Sequence, residues 1–340
     1  MKIFICQQTP RPLPLGDVAS SSLAFRADIL LSALLADIVE LSEVSVSILR
    51  DPALGGFPRL PTGVKVVPMH AHNAEETVQA CFAHADAIWP LAPESNGWLE
   101  AISREAIQHK KILLGSSRDA VHLAGSKYRC SQALRARGIP VVSTFRAYAK
   151  LPEAHAWVVK PDDGAGCSDT HLFSHQSAAT AWIAARPEGD YVLQPYISGR
   201  PCSLSLLCGN EGDVHLLSCN DQRMAVANNQ FHYLGSVVNS MEDSTGDLER
   251  LAHRVVDAIP GLWGYVGIDF IITRDGPVVL EVNPRMTISH AGLHASMGTN
   301  PAQMLFDILR TGHCVSAVSL KGRQISVDLG TCQHDTRVPG

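Results

Sequence analysis

The chain opens on KIFIC (2–6), a short apolar run that reads as a strand buried on both faces. A proline-rich connection, QQTPRPLPLG (7–16), follows, and apolar residues then recur at helical spacing from about Ser20 to Ser42. VSVSILR (44–50) alternates with a period of two, and GVKVVPM (63–69) is a further strand pattern. EETVQACFAHA (75–85) is helical, DAIWPLA (86–92) a strand, NGWLEAISREAIQHK (96–110) helical and KILLG (111–115) a strand. Strands alternating with helices predict a parallel sheet flanked by helices, an α/β unit over residues 1–117. The connection after the first strand carries no GxGxxG, so it cannot cradle a dinucleotide pyrophosphate in the usual way. This unit therefore reads as a substrate-binding or structural part.

The pattern changes after residue 117. SRDAVHLAGSKYRCSQALRARGIP (117–140) is helical throughout, ending at Gly138 and stopped by Pro140. Short strand patterns then dominate: VVSTFRAY, AWVVK, THLF, YVLQPYI, CSLSLLC and DVHLLSC, with helical stretches only around 176–186 and 244–259. That predicts an α+β part built on antiparallel sheets. The tail from about Gln333 looks frayed.

Composition narrows the classes. Of 340 residues, 46% are hydrophobic and 18% charged, ample for packed cores in two or three units. The net charge of −5 gives no basic footprint for nucleic acid. No run approaches the roughly 18 apolar residues of a membrane span, and the start is too short for a signal peptide. Nine scattered cysteines without a CxxC pair suit reduced thiols in a cytoplasm rather than a zinc site.

Three stretches carry candidate chemistry. In WVVKPDDGAGCSDTHLF (157–173) a strand ending in Lys160 leads into a loop with Gly164, Ala165 and Gly166, and then into another strand. It is neither a Walker loop nor a Rossmann turn. A glycine hairpin can still fold over a phosphate with backbone N–H donors beside a lysine, or it can be a plain turn. Asp162 and Asp163 are at odds with phosphate. Asp163 suits a turn-shaping role, and Asp162 either points away from phosphate or meets a substrate amine.

The second stretch is GYVGIDFIITRDGPVVLEVNPRMT (264–287), two strand patterns around Arg274-Asp275-Gly276. A three-residue turn with Gly276 left-handed sets Thr273 opposite Pro277 and Asp269 opposite Glu281, with Asn283 and Arg285 on the same face. Two facing carboxylates and an amide oxygen suit Mg²⁺, with Mn²⁺ an alternative. A two-residue Asp-Gly turn would instead send Glu281 to the other face, so the metal reading hangs on register. The third stretch, YVLQPYISGRP (191–201), is a strand and turn that could serve as a hinge against adenine. His290 and His294 are four apart but lack an evident third ligand, and they read as surface or supporting groups. Cys167 has no base at a suggestive spacing and reads as a small loop residue.

Taken in order, SKYRC with Lys127, VVKPDDGAG with Lys160, LQPYISG, GIDF with Asp269 and EVNPRMT with Glu281, Asn283 and Arg285 resemble the ATP-grasp superfamily over about residues 118–310. EVNPRMTISHAGL and CNDQR…FHYLG are similar to a carboxylate–amine ligase subgroup that includes the tyramine–glutamate ligase of methanofuran biosynthesis. The resemblance implies an α/β N-terminal domain (1–117), a central or lid subdomain (118–195), a C-terminal subdomain (196–332) and a tail (333–340), with two antiparallel-sheet lobes clamping ATP. It implies phosphate contacts from Lys127 and Lys160, with the Gly164–Gly166 loop as lid. It further implies an adenine hinge at Gln194, Pro195, Tyr196 and Ile197, Mg²⁺ ligands Asp269, Glu281 and Asn283, and Arg285 supporting an acyl-phosphate. Many relatives carry a ribose-holding acid at the hinge, which this chain lacks. The expected reaction joins a small-molecule carboxylate to an amine in cofactor biosynthesis, without nucleic acid or membrane, in a cytoplasmic enzyme for which the resemblance implies a homodimer. A small-molecule kinase or a non-catalytic nucleotide-binding module on the same fold are the alternatives.

Overall fold

A computed structural model of the chain describes residues 1–7, 18–50, 52, 60–70, 72–313 and 322–330. The proline-rich connection beyond Gln7 and the tail at 333–340 lie outside the described residues.

The N-terminal part contains β1 (Lys2–Gln7), α1 (Val18–Ile38), β2 (Ser45–Arg50), β3 (Val64–Pro68), α2 (Ala74–His84), β4 (Ala87–Leu91), α3 (Trp98–Gln108) and β5 (Ile112–Leu113). The strands form a wholly parallel sheet in the order β3-β2-β1-β4-β5. The unbroken apolar runs of β1 and β4 place them at its centre, buried along almost their whole length. Strand order reverses between β1 and β4, so a crevice opens at their carboxyl ends, where doubly wound sheets bind ligands. KILLG contributes only Ile112 and Leu113 to the ladder, a shorter strand than its apolar run suggests.

The single helix expected over 117–140 is two: α4 (Arg118–Gly125) and α5 (Lys127–Ala136). Ser126 between them is extended, and its hydroxyl accepts the N–H of Arg129, capping α5. A glycine, a poor helix former, followed by a good N-cap residue starts a second helix that periodicity alone does not separate. This break puts Lys127 at the first position of α5.

One continuous antiparallel sheet of ten strands follows, and it falls into two segments. One holds β6 (Phe145–Arg146), β7 (Trp157–Pro161), β8 (His171–Phe173) and β9 (Tyr191–Pro195) in the order β8-β7-β9-β6, with α6 (Gln176–Ala184) packed on it. The other is built from β10 (Arg200–Cys208), β11 (Val214–Ala227), β12 (Gln230–Met241), β13 (Gly264–Thr273) and β14 (Gly276–Asn283), in the order β14-β13-β10-β11-β12. The chain also forms α7 (Asp247–Ala258), α8 (His290–Met297), α9 (Pro301–Thr311) and β15 (Ile325–Asp328), which pairs with β12. The two segments meet at one pair, Gln230 with His171.

The larger segment is packed on both sides. Amphipathic α7 buries Leu248, Leu251, Val255 and Val256 against Leu204, Leu206 and Phe270. Side chains of this size contribute roughly 1.5–3 kcal/mol each when fully buried. On the other side a single core joins Leu34 and Leu35 of α1, Leu207 and Leu217 of the sheet, Leu293 of α8 and Leu305 of α9. The N-terminal sheet is thus fixed against the larger one, and the crevice at its carboxyl ends looks onto β13 and β14 through Glu94, whose carboxylate bonds Arg285.

Candidate active site

The β13–β14 hairpin brings the acids together by a route neither sequence reading described. The turn is a two-residue Arg274-Asp275 loop: Thr273 pairs with Gly276, whose φ is +116°, and Ile272 pairs with Pro277. Thr273 Oγ1 holds the loop by accepting the Asp275 N–H and donating to the Gly276 carbonyl. On that count Asp269 would face Leu280 and Glu281 would lie on the wrong side. A bulge at Leu280 restores the register, because Phe270 pairs with Val279 while Asp269 pairs with Glu281 and Gly267 with Asn283.

Around this pair the side chains converge. Asp269 Oδ1 accepts from Gln222 Nε2 at 2.9 Å, and Oδ2 accepts from Asn283 Nδ2 at 3.3 Å. Lys127 Nζ and Lys160 Nζ each stand 3.5 Å from Glu281 Oε2. Arg285 donates through Nε and a terminal nitrogen to Glu94 Oε2, at 2.9 and 2.7 Å, and also reaches Asn283 Oδ1 at 3.3 Å.

The electrostatics divide the two acids. Burial and the neighbouring Glu281 charge push Asp269 above the usual carboxylate range. Burial alone would raise Glu281 too, but Lys127, Lys160 and Arg285 outweigh it and hold Glu281 below its usual value. Burial in turn lowers Lys160, against the pull of Glu281. Two facing acids, one resisting ionisation, form an oxygen donor pair that a hard divalent cation would relax; Asn283 turns its N–H₂ to Asp269 and its oxygen to Arg285, so its amide must flip to join them. Among the described residues no group of three or more His, Cys, Asp or Glu side chains is arranged to hold a metal. The candidate set rests on two carboxylates and Asn283, which leaves coordination positions for phosphate oxygens.

The glycine loop is anchored from two directions. Asp162 is 5% exposed, and its carboxylate accepts from Ser126 Oγ (2.6 Å), Tyr128 N–H (2.8 Å) and Arg146 (2.9 Å). It points away from the loop crest and into the N-terminus of α5, where a carboxylate is favoured. Asp163 does not shape its own turn through its side chain. Its carboxylate accepts the Asn96 N–H at 2.7 Å, and its carbonyl accepts Ser95 Oγ at 2.9 Å. Lys127 Nζ donates to the Gly164 carbonyl. Gly166 is left-handed at φ +62°, its carbonyl accepts from Arg26 of α1 at 2.8 Å, and the Ser168 N–H bonds the Ala165 carbonyl.

At the predicted hinge, Gln194 is buried and donates to Thr144 Oγ1 at 2.9 Å, while Pro195 pairs with Trp157. The Tyr196 N–H already bonds the Ala156 carbonyl, and the Tyr196 side chain is exposed, as Ile197 is in part. Burial, reinforced by Glu281, pushes the half-buried Cys167 thiol up to about 12, which disfavours the thiolate a nucleophile needs. His290 is not at the surface. It is buried under Tyr265, and both His290 and His294 bracket Asp37 of α1, at 3.4 and 2.7 Å. The pair ties α8 to the N-terminal part and stands apart from the Asp269–Glu281 site.

Sequence reasoning missed Glu94, Gln222 and Arg26. Glu94 carried one signal, an acid three residues beyond a fully buried strand of a parallel sheet. Gln222 and Arg26 carried none that spacing reveals.

Fold and site together define an ATP-grasp protein. A family described as an ATP-grasp domain matches residues 124–289, and one described as a pre ATP-grasp 3 domain matches 44–121. The chain belongs to the ATP-grasp superfamily, as an ATP-dependent ligase of the carboxylate–amine type. It is 27% identical over 238 residues to the tyramine–L-glutamate ligase of Methanocaldococcus jannaschii, covering 70% of this chain and 67% of that protein. It is 27% identical over 206 residues to the enzyme of the same name from Methanocaldococcus fervens, covering 60% of each. A solved ATP-grasp superfamily structure from Archaeoglobus fulgidus shares the fold at a TM-score of 0.70 and 23% identity, over 96% of this chain and 92% of that one. No helix among the described residues is long and apolar enough to cross a membrane.

Proposed function

We propose that the chain joins the carboxylate of an amino acid such as glutamate to an aromatic amine or amino acid in cofactor biosynthesis, through an acyl-phosphate, releasing ADP and phosphate. The observation that carries this reading is the convergence of Lys127 and Lys160 on Glu281, which directly opposes Asp269. Two cations from separate elements then face the phosphates while the acids face a cation. Bound at Asp269, Glu281 and Asn283, Mg²⁺ or Mn²⁺ would neutralise charge on the phosphate oxygens. Lys127 and Lys160 orient the phosphates, and Gly164, Ala165 and Gly166 cover them and keep water from the acyl-phosphate. Gln194 to Ile197 border adenine, offering carbonyls in preference to the Tyr196 N–H. Arg285 stabilises the charge on the transferring phosphoryl group. The lobes at 118–195 and 196–332 clamp the nucleotide beside the 1–117 domain, in a cytoplasmic enzyme that pairs as a homodimer.

The test is ADP release over pairs of amino acids and amines, with mass spectrometry of the product. An amide formed in step with ADP is the expected result. A phosphorylated product would make the protein a small-molecule kinase, and ATP binding without ADP across the panel would make it a non-catalytic module.

A further inference from the structure

Glu94 stands where the end of the N-terminal sheet meets the chemistry. It lies just beyond β4, at the point where the strand order reverses. Its side chain is only 8% exposed. Oε2 takes both hydrogen bonds from Arg285, while no donor among the described residues reaches the buried Oε1. A buried carboxylate oxygen without a partner is costly, and native proteins keep such groups mainly where function uses them. Its stem passes close to Gly125, where an added Cβ would lie only 3.3 Å from Glu94 Cβ. The next residues, Ser95 and Asn96, hold Asp163 of the glycine loop, so Glu94 keeps its place relative to the loop as well as to Arg285.

A cavity of about 470 Å³ opens on the same side. Six acids line it, Glu94, Glu100, Asp162, Asp163, Glu188 and Asp190, with His122 and Arg129; Arg118 pairs with Glu100, and Arg146 with Asp162 and Asp190, which leaves the lining acidic on balance. Such a lining concentrates cations, and an amine arrives at neutral pH as an ammonium.

We propose that Glu94 is the general base of the amide-forming step, with Oε1 receiving the N–H of the amine while Oε2 holds Arg285. This rests on the ligase reading above. The nitrogen lone pair forms the C–N bond, and the carbon–oxygen bond to phosphate breaks with its electron pair passing to the phosphate. Before that attack the ammonium gives one proton to Glu94 Oε1, which frees the lone pair; the second proton, lost from nitrogen as the C–N bond forms, leaves on the phosphate. Arg285 thereby couples the group that accepts the proton to the group that leaves.

Glu94→Gln tests this, since the amide can still accept from Arg285 but takes no proton at neutral pH. The full-length protein is assayed with MgATP and glutamate against two nucleophiles, tyramine and hydroxylamine. Hydroxylamine is already largely unprotonated at pH 7 and traps the acyl-phosphate as a hydroxamate. Amide formation in the variant should fall about a hundredfold or more, the size of general-base effects. The hydroxamate-to-amide ratio should rise roughly thirty-fold or more, with the MgATP dissociation constant within about threefold of wild type. Parallel loss of both products would reduce Glu94 to a support for Arg285, and loss of neither would remove it from the reaction; each overturns the proposal. A wild-type protein that makes neither hydroxamate nor ADP across the amino-acid panel would overturn the ligase reading first, and this proposal with it.

Discussion

Replacing Asp162 with alanine should destabilise the protein far more than a loop substitution ordinarily does. The carboxylate is 5% exposed and accepts three hydrogen bonds, from Ser126 Oγ, the Tyr128 N–H and Arg146. Hydrogen bonds to a charged group are worth about 1.5–3 kcal/mol each, so a plain sum would run to about 5–9 kcal/mol. The sum overshoots, because Arg146 keeps its second partner, Asp190, and the Tyr128 N–H at a helix start can turn to water. A loss of about 3–5 kcal/mol follows, the range for removing one partner of a buried ion pair. Asp162→Asn preserves shape and one acceptor but sets an amide N–H₂ against donors, which should cost about 2–3 kcal/mol. Urea unfolding followed by circular dichroism measures both, and a double-mutant cycle with Arg146→Ala should show at least about 1 kcal/mol of coupling. Because Asp162 points away from the loop crest, Asp162→Asn should change MgATP affinity by less than about threefold, well under the 1.4 kcal/mol of a tenfold change. An alanine variant within about 0.5 kcal/mol of wild type, the ordinary range for a surface change, would refute the anchoring argument.

Glu281→Gln and Lys160→Ala should each lower ADP release by about a hundredfold or more, the scale of losing one charge-stabilising group; wild-type turnover in both would overturn the site. Cys167, its thiol pushed up to about 12 by burial and Glu281, should resist disulfide exchange with a chromogenic reagent at pH 8 in the folded protein, and Cys167→Ser should keep ADP release within about threefold. Gly166→Ala places a Cβ 2.3 Å from an Arg26 nitrogen at a φ of +62°, so it should cost about 1–2 kcal/mol and raise the KM for ATP. Glu100 lies below its ordinary 4.5: burial would raise it, but hydrogen bonds from His122 and Arg118 prevail. Its contribution is therefore complete above pH 4.5 and drains as pH falls through the folded value, so the stability gap between wild type and Glu100→Gln should narrow on acidification. A constant gap in urea midpoints from pH 7 to pH 3 would contradict this.

The parts of the fold that periodicity could announce were legible, and the parts set by single residues were not. Uninterrupted KIFIC and DAIWPLA read as central parallel strands because burial on both faces erases alternation. One helix became two because Ser126 outbids helix continuation by capping from its side chain, a local competition that an averaged pattern does not register. β12, with Gly235 in its middle and polar residues on both faces, lacks the alternation that would have marked it.

The site shows why a right pairing can come from a wrong turn. A three-residue turn with Gly276 left-handed, a common hairpin form, sets Asp269 opposite Glu281 by counting back along the strands, whereas a two-residue turn sends Glu281 to the other face. The chain uses a two-residue turn and corrects the register four pairs later with Leu280. Either device moves Glu281 by one residue and hence to the other face, so periodicity alone cannot choose between them. The contacts that complete the site are of another kind. Arg285 depends on Glu94 at 191 positions' distance, and Asp163 on Asn96 at 67. Glu94 is marked only by its place three residues beyond a buried strand and Asn96 not at all, because the value of each comes from where a separate parallel sheet ends. The N-terminal sheet is therefore more than a scaffold beside a nucleotide clamp: it supplies the acid that holds Arg285 and the backbone that holds the glycine loop. Substitutions at Glu94 and at Ser95, whose hydroxyl holds the Asp163 carbonyl, should therefore perturb the chemistry as strongly as substitutions within the lobes that the motifs mark.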